Sequence, residues 1–89
     1  MAVGHVDIGR VGIWTGQIDA LPTSRVRDLV QEIEGLGWAC LWRPESSGRD
    51  AMVSAAHMLD ATSILRIATG IAQIHARHPH TTKAAQRTL

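Results

Sequence analysis

The chain has 89 residues, of which 45% are hydrophobic and 19% charged, with a formal net charge of +1. That length allows at most one small domain, and the balanced charge gives no pull toward nucleic acid or an acidic membrane surface. The composition is globular rather than disordered, one cysteine (Cys40) cannot form an internal disulfide, and no apolar run approaches the roughly 20 residues of a membrane span. Met1 to Asp7 shows no basic region leading into an apolar core, so no secretory signal is expected and the cytoplasm is the simplest location.

Residues 1–9 are small and mixed, and read as a flexible lead-in. Arg10 to Trp14 is a short apolar run with β-branched and aromatic content, closed by Thr15 and Gly16, and favours a strand. Pro22 opens a helix that Thr23 or Ser24 could cap. Val26, Leu29, Val30, Ile33 and Leu36 form one apolar stripe, with Arg25, Arg27, Asp28, Glu32 and Glu34 turned to water. Gly35 and Gly37 mark the helix end. Trp38 to Trp42 is apolar at every position, as a parallel strand buried on both faces would be. Arg43 to Arg49 is a polar loop. Asp50 is placed to cap a second helix, whose inner stripe is Met52, Ala55, Ala56 and Leu59. Ile64 to Thr69 forms a third strand, Gln73 to His78 a loop, and Pro79 opens a third helix that is still running near Leu89.

Strand starts therefore recur at a nearly constant interval, each separated from the next by a helix. Parallel strands need such crossovers. Two architectures use this repeat, the (β/α)8 barrel and the doubly wound sheet. A TIM barrel needs roughly 250 residues, so an α/β chain of this length could supply only the first three βα units of a (β/α)8 barrel, truncated at its C-terminal side, and the doubly wound sheet stays open beside it. Residues 10–89 would form that portion. The open sheet edges would invite association.

In both architectures ligands bind at the carboxyl ends of the strands. The groups available there are Thr15, Arg43, Glu45, Ser46 and Gln73. No G-x-G-x-x-G, phosphate-loop lysine motif or G-x-S-x-G elbow occurs. Glu45, behind Pro44, is the best single acid and could hydrogen-bond a ligand or move a proton. On residue type and place alone, the simpler reading is a solvated loop carboxylate paired with Arg43 or Arg49. His75, His78 and His80 lack the converging Cys or carboxylate partners of a metal site and read as surface or loop residues. His57 reads as a boundary residue on the second helix. Trp14 and Trp42 could line a pocket, although filling the layer between strand and helix is the simpler reading. Arg77, Lys83 and Arg87 could meet an anion, but a solvated face accounts for them.

Three segments taken together are more specific: Arg10 to Gly16, Leu36 to Glu45, and Ala68 to Pro79 with its Thr69-Gly70-Ile71 followed by Arg77-x-Pro79. Their order and spacing resemble the luciferase-like monooxygenase superfamily, and within it the coenzyme F-420-dependent oxidoreductases. The resemblance implies a (β/α)8 barrel, usually dimeric, that transfers a hydride between a deazaflavin and a small organic substrate. It also implies a non-prolyl cis peptide at Gly70-Ile71 backing the deazaflavin ring, with Ala72 and Gln73 at the ring edge. Glu45 would face coenzyme or substrate as the catalytic-site residue, for a polar contact or proton transfer, and Trp14 and Thr15 would line the substrate pocket. Many members carry a His after that acid; this chain has Ser46, so no His-dependent acid/base step is expected there. The phosphate site frequently built after the seventh and eighth strands would lie beyond these units. The alternatives are an FMN-dependent monooxygenase of the same superfamily and a catalytically inactive fragment or interaction module. No nucleic acid, membrane or metal partner is expected.

Overall fold

Short apolar runs alternate along the chain with helical stripes, and the computed structural model turns each run into a strand and each stripe into a helix. It describes residues 7–45 and 48–89. The strands are β1 (Ile13–Trp14), β2 (Cys40–Arg43) and β3 (Arg66–Thr69); the helices are α1 (Thr23–Gly35), α2 (Ala51–Ala61) and α3 (Pro79–Thr88). The strands pair in parallel in the order β1-β2-β3. This is a small α/β unit with a three-stranded parallel sheet. Its sequential order is common to the first units of a barrel and to one half of a doubly wound sheet. Among the described residues, no helix is long and apolar enough to cross a membrane.

Register decides what each face of the sheet carries. Ile13, Leu41 and Ile67 lie side by side across the three strands, as do Trp14, Trp42 and Ala68. Successive strand residues point to opposite faces, so these two rows belong to different sides. The first row joins the apolar core with Val26, Val30 and Ile33 of α1, Met58 of α2, and Ile18 and Leu65 from the connections. Helices α1 and α2 therefore cover one face, and the tryptophan row lies on the other.

Several local expectations are corrected. The strands are shorter than their apolar runs: Val11 is exposed, Trp38 lies outside β2, and Ile64 outside β3. A parallel strand lasts only as long as both neighbours can share its ladder. Leu36 does not belong to the α1 stripe and is 70% exposed. The chain has already left the helix there, and Gly37 follows at a φ of +94°, a turn that suits a residue without a side chain. Neither Thr23 nor Ser24 caps α1; the carbonyl of Pro22 accepts from the Arg25 and Val26 amides instead. On α2 the buried residues are Ala51, Ala55 and Met58, with Ala56 exposed. There are two short 3-10 turns, Gln17–Ala20 and Ile74–Ala76, the second within a segment read as loop. The first of them delivers the buried Ile18 to the core.

Candidate functional site

The carboxyl ends of all three strands meet at one end of the sheet. The chain leaving β3 stays against the chain leaving β2: the Gly70 amide donates to the Arg43 carbonyl (2.7 Å) and the Glu45 amide to the Ile71 carbonyl (3.2 Å). The Gly70-Ile71 peptide is cis, at the bond singled out in the sequence. From β1, the Trp14 indole Nε1 donates to the Gly70 carbonyl at 2.6 Å. Gly70 thus sits between two indoles, and a Cβ added to it would lie 3.4 Å from Trp42 and 3.5 Å from Trp14. Trp14 is 60% exposed and Ile71 79%. Farther along the same face the Trp42 indole lies over Gly12, where a Cβ would come within 2.8 Å of its Nε1. The two tryptophans do not fill the layer between strand and helix as the simpler reading expected. Strand alternation gives that layer to Ile13 and Leu41 and turns the indoles the other way.

Glu45 is half-buried rather than solvated, with 6% of its side chain exposed. It pairs with neither Arg43 nor Arg49. Oε1 accepts from Arg77 Nη1 (3.0 Å) and from the Gln73 amide (2.8 Å); Oε2 accepts from Arg77 Nη2 and from the Ala51 amide (2.8 Å). The Gln73 side-chain amide returns a bond to the Glu45 carbonyl at 2.9 Å. The Arg77 hydrogen bond is the main cause that holds the Glu45 carboxyl down at about 2, helped by the Ala51 and Gln73 amides and opposed by burial. Arg77 Nη2 also reaches Asp50 Oδ2 (3.0 Å), while Asp50 Oδ1 caps α2 by accepting from the Met52 and Val53 amides. The Val53 amide and then Arg77 lower the Asp50 carboxyl. Arg77, read in the sequence as part of a solvated face, has only 9% of its side chain exposed. Its pairing with an acid 32 positions away leaves no periodic trace in the sequence.

A second charged link lies beside this one. Arg43, 3% exposed, donates to the Thr15 carbonyl and pairs with Asp19. The Thr15 hydroxyl accepts from the Gln17 amide (3.2 Å), so it is engaged in its own turn. Arg49 donates to the Asp19 and Leu21 carbonyls. The structure therefore brings Trp14, Thr15, Glu45, Gly70, Ile71, Ala72 and Gln73 to one end of the sheet. Arg43 and Arg49 serve there as ties between loops. Ser46 and Ser47 lie outside the described residues.

Two of the remaining candidates, His78 and His57, have structural roles. His78 Nδ1 accepts from the His80 amide and caps α3, with Pro79 in its first turn. His57 Nε2 lies 3.2 Å from the Thr23 carbonyl and joins α2 to α1. Among the described residues, no three His, Cys, Asp or Glu side chains are grouped to hold a metal. A cavity of about 380 Å³ opens on the helix side, lined by Ile18, Asp19, Val26, Asp50, Val53 and His57 among others. Its carboxylates are already committed to Arg43 and Arg77, and it shares no residue with the tryptophan face.

The comparison with curated proteins returned no match, nor did that with solved structures. A family model described as luciferase-like monooxygenase matches residues 1–89. With the match running the length of the chain, the chain belongs to the luciferase-like monooxygenase family.

Proposed function

We propose that this chain supplies the first three βα units of a (β/α)8 barrel that works as a coenzyme F-420-dependent oxidoreductase. The observation that carries the reading is the surface at the strand ends, where Gly70 lies between the Trp14 and Trp42 indoles beside the exposed Ile71. A flat aromatic ring needs a flat apolar backing with no side chain standing up from it. Gly70 meets that need, and the indoles on either side add apolar contact area. The coenzyme, when bound, would supply the hydride chemistry.

The chain's own residues would bind and orient. Gly70 and Ile71 would back the ring, with Ala72 and Gln73 at its edge and Trp14 and Thr15 toward the substrate. Glu45 is held ionised by Arg77 and two amides, and its side chain already accepts four hydrogen bonds. That favours a supporting polar contact over a proton-transfer role, since releasing Glu45 to move a proton would first require breaking the Arg77 pair.

The test is a titration of the chain with coenzyme F-420 and, separately, with FMN, followed by quenching of tryptophan emission. F-420 is expected to quench and to bind more tightly than FMN. Gly70→Ala is expected to weaken binding about tenfold or more by lifting the ring off its backing, with unchanged circular dichroism, because its Cβ meets only ordinary contact distances. Tighter binding of FMN would transfer the reading to the flavin branch, and no quenching by either would sink it.

A further inference from the structure

We propose that Arg77 is a positioning residue for the Gly70-Ile71 surface. Its guanidinium, forked across both oxygens of Glu45 and extended to Asp50, fixes the exits of β2 and β3 and the start of α2 in one arrangement. The importance of that arrangement for a coenzyme rests on the function proposed above; the positioning itself does not.

The segment from Gly70 to Gln73 contributes nothing to the apolar core, and Ile71 and Gln73 are exposed. Hydrogen bonds hold it instead. Gly70 is tied to Arg43 and to Trp14, Ile71 to the Glu45 amide, and Gln73 to Glu45 through both its backbone and its side chain. Glu45 is thus the anchor for the second half of the segment. A shielded carboxylate is held ionised most strongly by a partner charge, with backbone amides assisting. Arg77 is that partner, and it lies on the same stretch of chain, just past the 3-10 turn Ile74–Ala76. The pair therefore closes a ring that runs from β2 to Glu45, across to Arg77, and back through Gln73 and Gly70 to β2. Helix α3 buries none of its residues, so apolar packing does little to pin the stretch that leads into it. Asp50, at the start of α2, is the other carboxylate facing the guanidinium and extends the ring to that helix.

Trp14 reports on this surface because its indole N–H is bonded to the Gly70 carbonyl. The three tryptophans give three indole signals in a ¹H–¹⁵N spectrum, and Trp14→Phe assigns the one of interest. In Arg77→Gln, hydrogen exchange at the Trp14 indole is expected to speed up at least about tenfold, the factor that losing one charged hydrogen bond gives. The Trp38 indole and the helical circular dichroism should stay unchanged. With Arg77 gone, the Trp14 signal should also titrate at a clearly higher pH, whereas in the parent chain it should hold until close to 2. Arg77→Lys keeps the charge without the fork and should fall between the two. A folded Arg77→Gln whose Trp14 exchange and titration match the parent would overturn the proposal. If Arg77→Gln unfolds, Arg77→Lys is read in its place, and either its unfolding or an undisturbed Trp14 signal would equally overturn it. A parent chain that binds neither coenzyme, yet whose Trp14 responds to Arg77, would remove the proposed function and leave the positioning role intact.

Discussion

At the scale of single residues, Glu45 shows how a loop carboxylate becomes a structural element. Its folded value of about 2 lies below the ordinary 4.5, so folding favours the ionised form. The stability it contributes is fully present above about 4.5 and is lost as pH falls toward about 2. Glu34 and Asp50 are lowered too and act in the same direction. Denaturant titrations across that window should show the midpoint falling with pH, and Glu45→Gln should flatten the fall. At neutral pH, Glu45→Ala leaves Arg77 without its main partner and is expected to cost about 3 kcal/mol in the same assay. The glycines of the tryptophan face make a second, sharper contrast. Gly12→Ala places a Cβ 2.8 Å from the Trp42 indole and 3.2 Å from the Cys40 carbonyl, so Trp42 must shift. Its emission spectrum is expected to change in Gly12→Ala and to stay near the parent's in Gly70→Ala.

Elements are joined here mainly at their ends. Glu34, in the last turn of α1, accepts from the Ser63, Ile64 and Leu65 amides and so holds the approach to β3; the Ile64 amide is the main cause of its lowered pKa. The sequence pattern had turned this residue to water. Arg43 and Asp19 tie the end of β2 to the 3-10 turn after β1. Arg43 is buried and Asp19 half-buried, and Asp19→Ala strands the Arg43 charge, for which a loss of about 3 kcal/mol in denaturant unfolding is expected. Asp50 shows the milder case. As the cap of α2 its replacement by Ala should cost about 1 kcal/mol, with a little more from the contact to Arg77.

For the molecule as a whole, one apolar cluster on one face of a three-stranded sheet must carry most of the stability. Leu41 is its centre, fully buried and flanked in register by Ile13 and Ile67. Leu41→Ala is expected to cost about 2–5 kcal/mol, comparable with the whole stability of a domain this small. Loss of a cooperative thermal transition would register that outcome; a transition within a few degrees of the parent's would show that the core lies elsewhere. The opposite face keeps Trp14 largely open, and it is there, away from the core, that the strand ends present the proposed coenzyme surface.

Much of this was legible before any coordinates. Periodicity marked α1, the cap at Asp50 marked α2, and three apolar runs marked the strands, because helix and strand are properties of neighbouring residues. The segment at Ala68 to Pro79 also pointed to the family and to Gly70-Ile71 before the fold was known. Tertiary structure alone decided the sheet order, the outward turn of Trp14 and Trp42, the burial of Ile18, and the partners of Glu45 and Glu34. These follow from strand register and from contacts between residues some 30 positions apart, such as Glu34 with Ile64 and Glu45 with Arg77. A local pattern records which residues avoid water; it carries no information on which distant charge they will meet.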